Sequence, residues 1–238
     1  MSTKQFRVLG LFAAFIGILL GTDLAAEPSI AVSLVPGPTY SHKVAFGLIS
    51  MNLTPQIAIW VETEDGRFVD TIYVTHRAAA ADWRAAGGAR RPESLPLWSH
   101  ARGLRAADGL YMPEKSKPLP DAVSGATPKA AFAKEWKVPA SLAPGKYRIL
   151  AELNESFDWN EAYPAKLPKS DPRYTEANGQ PSIIWAGTIE IGGAEAKANL
   201  APIGTGDLRG ESGELHQGIE GLTSAKDIAA SLSVAYRP

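Results

Sequence analysis

Apolar and polar residues alternate with a period of two in several short stretches of the chain. The clearest is Gln56-Ile-Ala-Ile-Trp-Val-Glu62, where Ile57, Ile59 and Val61 fall on one face. That period is the mark of a strand with one buried face. Glu64-Asp65-Gly66-Arg67 follows as a hairpin turn, and Phe68–Thr75 returns as a second strand. The same reading places strands at Ile30–Val35, Lys43–Ile49, Ala131–Val138, Tyr147–Leu153, Ser182–Ile191 and Ala230–Tyr236. An Ala-rich stretch predicts one short helix over Ala79–Ala86. Arg90–Ala130 is rich in Pro and Gly without periodicity, so it predicts a long loop, of the kind that is usually functional or mobile. Phe157–Pro181 predicts a second polar loop, and Gly192–Gly221 a Gly-rich crossing segment. About eight short strands with turns between them, and no alternation of strand and helix, predict an all-β fold. The expected architecture is an antiparallel, immunoglobulin-like β-sandwich with long loop insertions.

The N-terminus changes the picture. Lys4 and Arg7 precede an apolar run from Val8 to Leu20, and Asp23-Leu24-Ala25-Ala26 ends the segment. A basic start, a short apolar stretch and small residues at the end predict a secretory signal peptide over residues 1–26. The apolar run is shorter than the roughly 20 residues a spanning helix needs. Leu24 is a poor residue three before the expected cut, which keeps an uncleaved anchor open. The mature chain is then one β-sandwich domain over 27–193, with its insertion at about 78–130. Residues 194–238 read as a crossing segment and final strand of the same domain. The expected location is the periplasm, with membrane association only through a partner or an uncleaved leader. No ATP is available there, so an ATP-driven activity is not expected.

Composition removes further classes. The net charge of −1 offers no basic field for nucleic acid. With no cysteine, the chain has no disulfides, no thiolate metal sites and no cysteine nucleophile. His42, His76, His100 and His216 show no metal-binding spacing, and no metal is expected. The chain has no Gly-x-Ser-x-Gly elbow, and Gly204–Gly210 lacks the ending of a phosphate loop. No catalytic residue is assigned, and the protein is expected not to be an enzyme.

Three groups of residues remain as candidates. Asp121-Ala-Val-Ser-Gly-Ala-Thr127 is a small-residue loop between Pro120 and Pro128. Gly125 permits a turn there, Ala126 leaves room for a close partner, and Asp121 and Ser124 can bond neighbouring amides. Thr127 presents a hydroxyl. In the second group, Trp98, His100 and Arg102 lie within Leu95-Pro-Leu-Trp-Ser-His-Ala-Arg102, where Trp and Arg could stack on a flat ligand and Arg could grip an anion. The plainer alternative has Trp98 closing one end of the sandwich and Arg102 capping carbonyls. The third group is the acidic stretch Glu152, Glu155, Asp158 and Glu161, which predicts a solvated loop.

The segment Asp121–Thr127 resembles the acceptor motif of bacterial FAD:protein FMN transferases, in which Asp, two free positions, Ser/Thr, Gly, Ala and Ser/Thr recur. Asp121, Ser124, Gly125, Ala126 and Thr127 match all five specified positions. Average residue frequencies give a chance match on the order of one in a thousand for this length. The resemblance implies covalent FMN, its phosphate esterified to Thr127; a capped turn without flavin is the alternative. More widely, Gln56–Thr75, Arg91–Gly103, Asp121–Lys129 and Trp136–Glu152 resemble a family of predicted periplasmic proteins of unknown function. Genes of that family accompany FAD:protein FMN transferases and PepSY-type membrane reductases. Trp136 with Pro144-Gly-Lys-Tyr147 resembles the immunoglobulin-like module of flagellar hook-capping proteins. The resemblance implies an exported accessory of a flavin-linked electron-transfer system, with the transferase and the reductase as partners. A plain interaction or assembly module without cofactor, and a periplasmic solute-binding domain, are the alternative readings.

Overall fold

The computed structural model describes residues 27–83, 90–120 and 124–238. The expected signal peptide, most of the second half of the helix expected over Ala79–Ala86, and Asp121 lie outside the described residues. Among the described residues no helix is long and apolar enough to cross a membrane.

The chain is all-β, built on one large curled sheet. Its strands are β1 (Ser29–Pro36), β4 (Gln56–Thr63), β5 (Phe68–Thr75), β6 (Ser124–Gly125), β7 (Phe132–Lys137), β8 (Gly145–Asn154), β9 (Ile183–Ile191), β10 (Ala196–Thr205) and β12 (Ala229–Arg237). They run in the order β6-β5-β4-β8-β9-β10-β12-β1-β7, and β11 (His216–Gln217) pairs with β10. Neighbouring strands of this sheet are antiparallel except β5 with β6, which are parallel. Two strands stand apart from this sheet as a hairpin, β2 (His42–Phe46) and β3 (Ile49–Leu53).

The curl turns on β10. Ala196–Leu200 pair with β12, and Ala201–Thr205 pair with β9, with an irregularity between Pro202 and Gly204. A strand that changes neighbours along its length makes a corner in a folded sheet. Gly187 on β9 lies against that corner. A Cβ there would sit 2.9 Å from the Asn199 carbonyl oxygen, so the close approach requires glycine. At the far side the two sheet ends come together. The Trp136 Nε1–H of β7 donates to Asp70 Oδ2 of β5 at 2.9 Å, and the Phe132 and Tyr73 rings lie 5.8 Å apart.

Inside the curl lies the main core. Ile57, Ile59 and Val61 of β4 point into it with Ile30, Val32 and Leu34 of β1 and Ile149 and Leu153 of β8. The alternation in β4 thus marks the inner face as the sequence predicts. Its outer face is buried too. Ala58 and Trp60 join Val74, Leu150 and Ile184 in a second core. That core is covered by α1 (His76–Ala79), by Trp83 and Leu95, and by Trp98 on α2 (Pro96–Ala101). The insertion after β5 is therefore a lid on the outer face of the sheet. Its loop character is corrected accordingly, because apolar side chains are present at Leu95 and Trp98 although they lack a strand's period.

Three further expectations also differ. Lys43–Ile49 is not one strand but a tight hairpin, because Gly47 takes a left-handed φ of 60° and turns the chain before Ile49. The crossing segment Gly192–Gly221 contains the ten-residue strand β10. The helix begins earlier, at His76, directly after β5.

Candidate functional site

The small-residue loop is pinned to the sheet edge from beneath. Ser124 and Gly125 pair with Val74 and Thr75 at the end of β5. The Tyr73 hydroxyl donates to the Ala126 carbonyl at 3.0 Å, and the Tyr40 hydroxyl donates to the Pro128 carbonyl at 2.8 Å. Burial pushes the Tyr40 phenol up to about 12 and raises the Tyr73 phenol as well, so both stay protonated donors. Between these two ties sits Thr127, half-buried, its hydroxyl donating to the Pro55 carbonyl at 3.2 Å. Ala126 is exposed. Gly125 is not in a left-handed conformation, and a Cβ there would meet Tyr73 Cε2 at 3.5 Å, an ordinary contact. The expected glycine turn is an extended edge strand instead.

Trp98, His100 and Arg102 belong to one short helix and its cap. Pro96 opens α2 at a first-turn position, where its missing N–H is not needed. Positions four apart share a helix face, which brings Trp98 and Arg102 together and turns His100 away. Trp98 is wholly buried; its Nε1–H donates to Thr71 Oγ1 at 3.1 Å, and Arg102 Nη1 donates to the same oxygen at 2.7 Å. His100 stacks on Tyr111, ring centroids 3.8 Å apart, and burial lowers its pKa.

The acidic stretch is not a solvated loop. Glu152 is fully buried in β8 beneath the start of α2. It accepts the Trp98 N–H at 2.8 Å, the Leu97 N–H at 3.2 Å and the Ser182 hydroxyl at 2.6 Å. Burial raises its pKa to about 7 against the pull of those donors. The sequence holds one signal for this residue, a lone Glu inside the apolar run Ile149–Leu153. Glu155, also buried, pairs with His42 Nδ1 of the hairpin. Asp158 bonds the Ser224 hydroxyl and accepts Gln180 Nε2–H at 2.7 Å, while Glu161 is exposed. Among the described residues no three His, Asp or Glu are grouped to hold a metal ion.

The His42 cluster titrates in one direction. Burial raises the Glu155 and Asp158 carboxyls, and the bond to Glu155 raises the His42 imidazole. A group whose pKa is raised on folding adds stability below its unfolded pKa and loses it as pH rises through the folded one. The contribution of this cluster to the melting temperature is therefore expected to fall as pH climbs from about 5 to about 8. His42→Gln should flatten the upper part of that fall in a melting series against pH. An unchanged profile would mean that His42 does not hold a proton against Glu155.

Compared with protein-family models, with curated proteins and with solved structures, the chain finds no match in any of the three.

Proposed function

We propose that the protein is an exported, non-enzymatic β-sandwich that serves a flavin-linked electron-transfer system of the bacterial envelope, with Thr127 as the acceptor of an FMN phosphoester. The observation that carries this reading is the Thr127 hydroxyl itself. It lies at a sheet edge, in a segment matching an acceptor motif, held between two phenol ties. The surroundings fit a phosphate. Ala126 beside it is exposed, and exposed Lys129 follows two residues on. FMN, when bound, would supply electron transfer. Tyr73 and Tyr40 hold the backbone on either side of the acceptor; on transfer from FAD the Thr127 hydroxyl would release its hydrogen bond to Pro55 and its proton, and its Oγ–P bond would form as the FAD pyrophosphate bond breaks and AMP leaves. We read the curled sheet as immunoglobulin-like, supported by the corner at β10. A FAD:protein FMN transferase and a PepSY-type reductase are the proposed partners, and the periplasm the proposed location, on the strength of the leader and the resemblance.

The test is the intact mass and visible spectrum of the protein exported from its native host. One added FMN and a yellow colour are expected, both lost in Thr127→Ala and kept in Thr127→Ser. A colourless wild type of unmodified mass, made alongside an active transferase, would end the carrier reading. The second reading is an interaction module without cofactor. It is favoured by the hairpin tip, where Leu48 is fully exposed and Ile49 is 66% exposed. Stable capture of an envelope partner by colourless protein, lost in Leu48→Asp, would support it. Solute binding through Trp98, His100 and Arg102 is the weaker reading, because Trp98 and Arg102 already donate to Thr71.

A further inference from the structure

Beside the hairpin lies a cleft whose charged lining is cationic and which Ser156 also lines. Arg77 of α1 and Arg91 of the insertion bring two guanidinium groups to it, and Trp83 lines it as well. Arg91 is fixed and buried. It donates to Asn178 Oδ1 at 2.9 Å and to Ser156 Oγ, and its guanidinium lies 4.9 Å over the Trp83 ring. Glu93 pairs with Arg91 but does not line the cleft. Arg77 is exposed and has no carboxylate partner among the described residues. Among the described residues the buried Trp83 indole Nε1–H has no hydrogen-bond partner. Arg91 is committed to Glu93, Asn178 and Ser156, which leaves exposed Arg77 and the unpaired Trp83 N–H; with no carboxylate in the lining, these two are complementary to an anion that accepts hydrogen bonds.

The rest of the lining is apolar. Phe46 of β2 stands edge-on to Phe157, ring centroids 5.1 Å apart at 83°, and Leu53 of β3 completes the wall. Phe157 takes a φ of 61°, in the left-handed region that bulky residues rarely enter. Its N–H donates to the Ala177 carbonyl at 2.7 Å, which holds it there. Such an outlier is kept only where the surroundings impose it, and these cluster at ligand sites. The enclosed space is about 20 Å³, close to that of one bound water. One oxygen of a headgroup fits inside; the rest of the headgroup would lie at the mouth beside exposed Arg77, and the body of the ligand outside, along Phe46 and the exposed Leu48 and Ile49.

We propose that this cleft binds the oxyanion headgroup, carboxylate or phosphate, of an amphipathic anion whose apolar body rests on the hairpin. The site is separate from Thr127 and does not depend on flavin.

Titration calorimetry of the full mature chain tests it, with octyl phosphate as probe and inorganic phosphate and octanol as controls. Octyl phosphate is expected to bind more tightly than either control. Arg77→Ala should weaken it by at least about ten-fold, the scale of one charged hydrogen bond. Arg77 is exposed, and an unchanged melting curve would show that this variant still folds. Phe157→Gly should keep the preference for phosphate and lose the preference for the octyl chain. No binding, equal binding by octanol, or equal binding by Arg77→Ala would each overturn the site. Sedimentation with phosphatidylglycerol vesicles then separates the sources. Binding lost in both Arg77→Ala and Leu48→Asp identifies a lipid surface, and binding of octyl phosphate without vesicle binding identifies a soluble anion.

Discussion

Trp98→Ala is expected to destabilise the protein by about 3–5 kcal/mol, the usual cost of removing a wholly buried tryptophan. The helix that carries it spans only Pro96–Ala101. A helix that short has no stability of its own and depends on what its apolar face touches. Trp98 lies in the outer core with Trp60, Val74, Leu150 and Ile184. Its indole N–H also donates to Thr71, which the variant would leave to Arg102 alone. The loss should concentrate in the lid. Urea unfolding would report the total, and hydrogen exchange should show residues 95–104 opening before β4 and β8. Trp98→Phe keeps most of the apolar contact and should cost less. A Trp98→Ala protein with a wild-type midpoint would mean that the outer face of the sheet is not sealed by α2.

The same residues show what a single sequence can reveal. The inner face of β4 is legible because Ile57, Ile59 and Val61 repeat every two residues beside a clear turn. The outer face is not, because burial of Ala58 and Trp60 depends on a segment that arrives from elsewhere in the chain. Strand β10 escapes notice because Ala196-Lys-Ala-Asn-Leu-Ala-Pro-Ile-Gly-Thr205 has small residues and a proline where a strand usually shows branched ones. Pairing on both sides makes it a strand regardless.

The candidate sites divide in the same way. The small-residue loop Asp121–Thr127 can be read as a pattern, since its spacing is local. Its ties to Tyr73 and Tyr40 cannot, because they span 53 and 88 residues. The cleft joins the hairpin at Phe46 and Leu53 to Arg77 with Trp83, to Arg91 and to Ser156 with Phe157, and nothing local in the chain announces it. The acidic stretch misleads for a physical reason. Charge suggests solvent, but a buried carboxylate is tolerated when enough donors reach it, and Glu152 has three.

Glu152 is the second position where a large effect is expected. Glu152→Ala should cost about 3 kcal/mol, because it leaves the Ser182 hydroxyl and the Leu97 and Trp98 amides without their acceptor in a buried site. Glu152→Gln removes the charge and keeps one acceptor oxygen, so its cost depends on pH. The folded carboxyl titrates near about 7, against 4.5 for the ordinary group. The protonated form is the one that folding favours. Its contribution is complete below pH 4.5 and is lost as pH rises through about 7, a change on the order of 3 kcal/mol. Glutamine does not titrate and loses nothing over that range. The gap in stability between wild type and Glu152→Gln is therefore expected to narrow from pH 5 to pH 8, read from urea midpoints at about unit steps. A constant gap would show that Glu152 keeps one protonation state throughout, and that the three donors outweigh burial at the joint between sheet and lid.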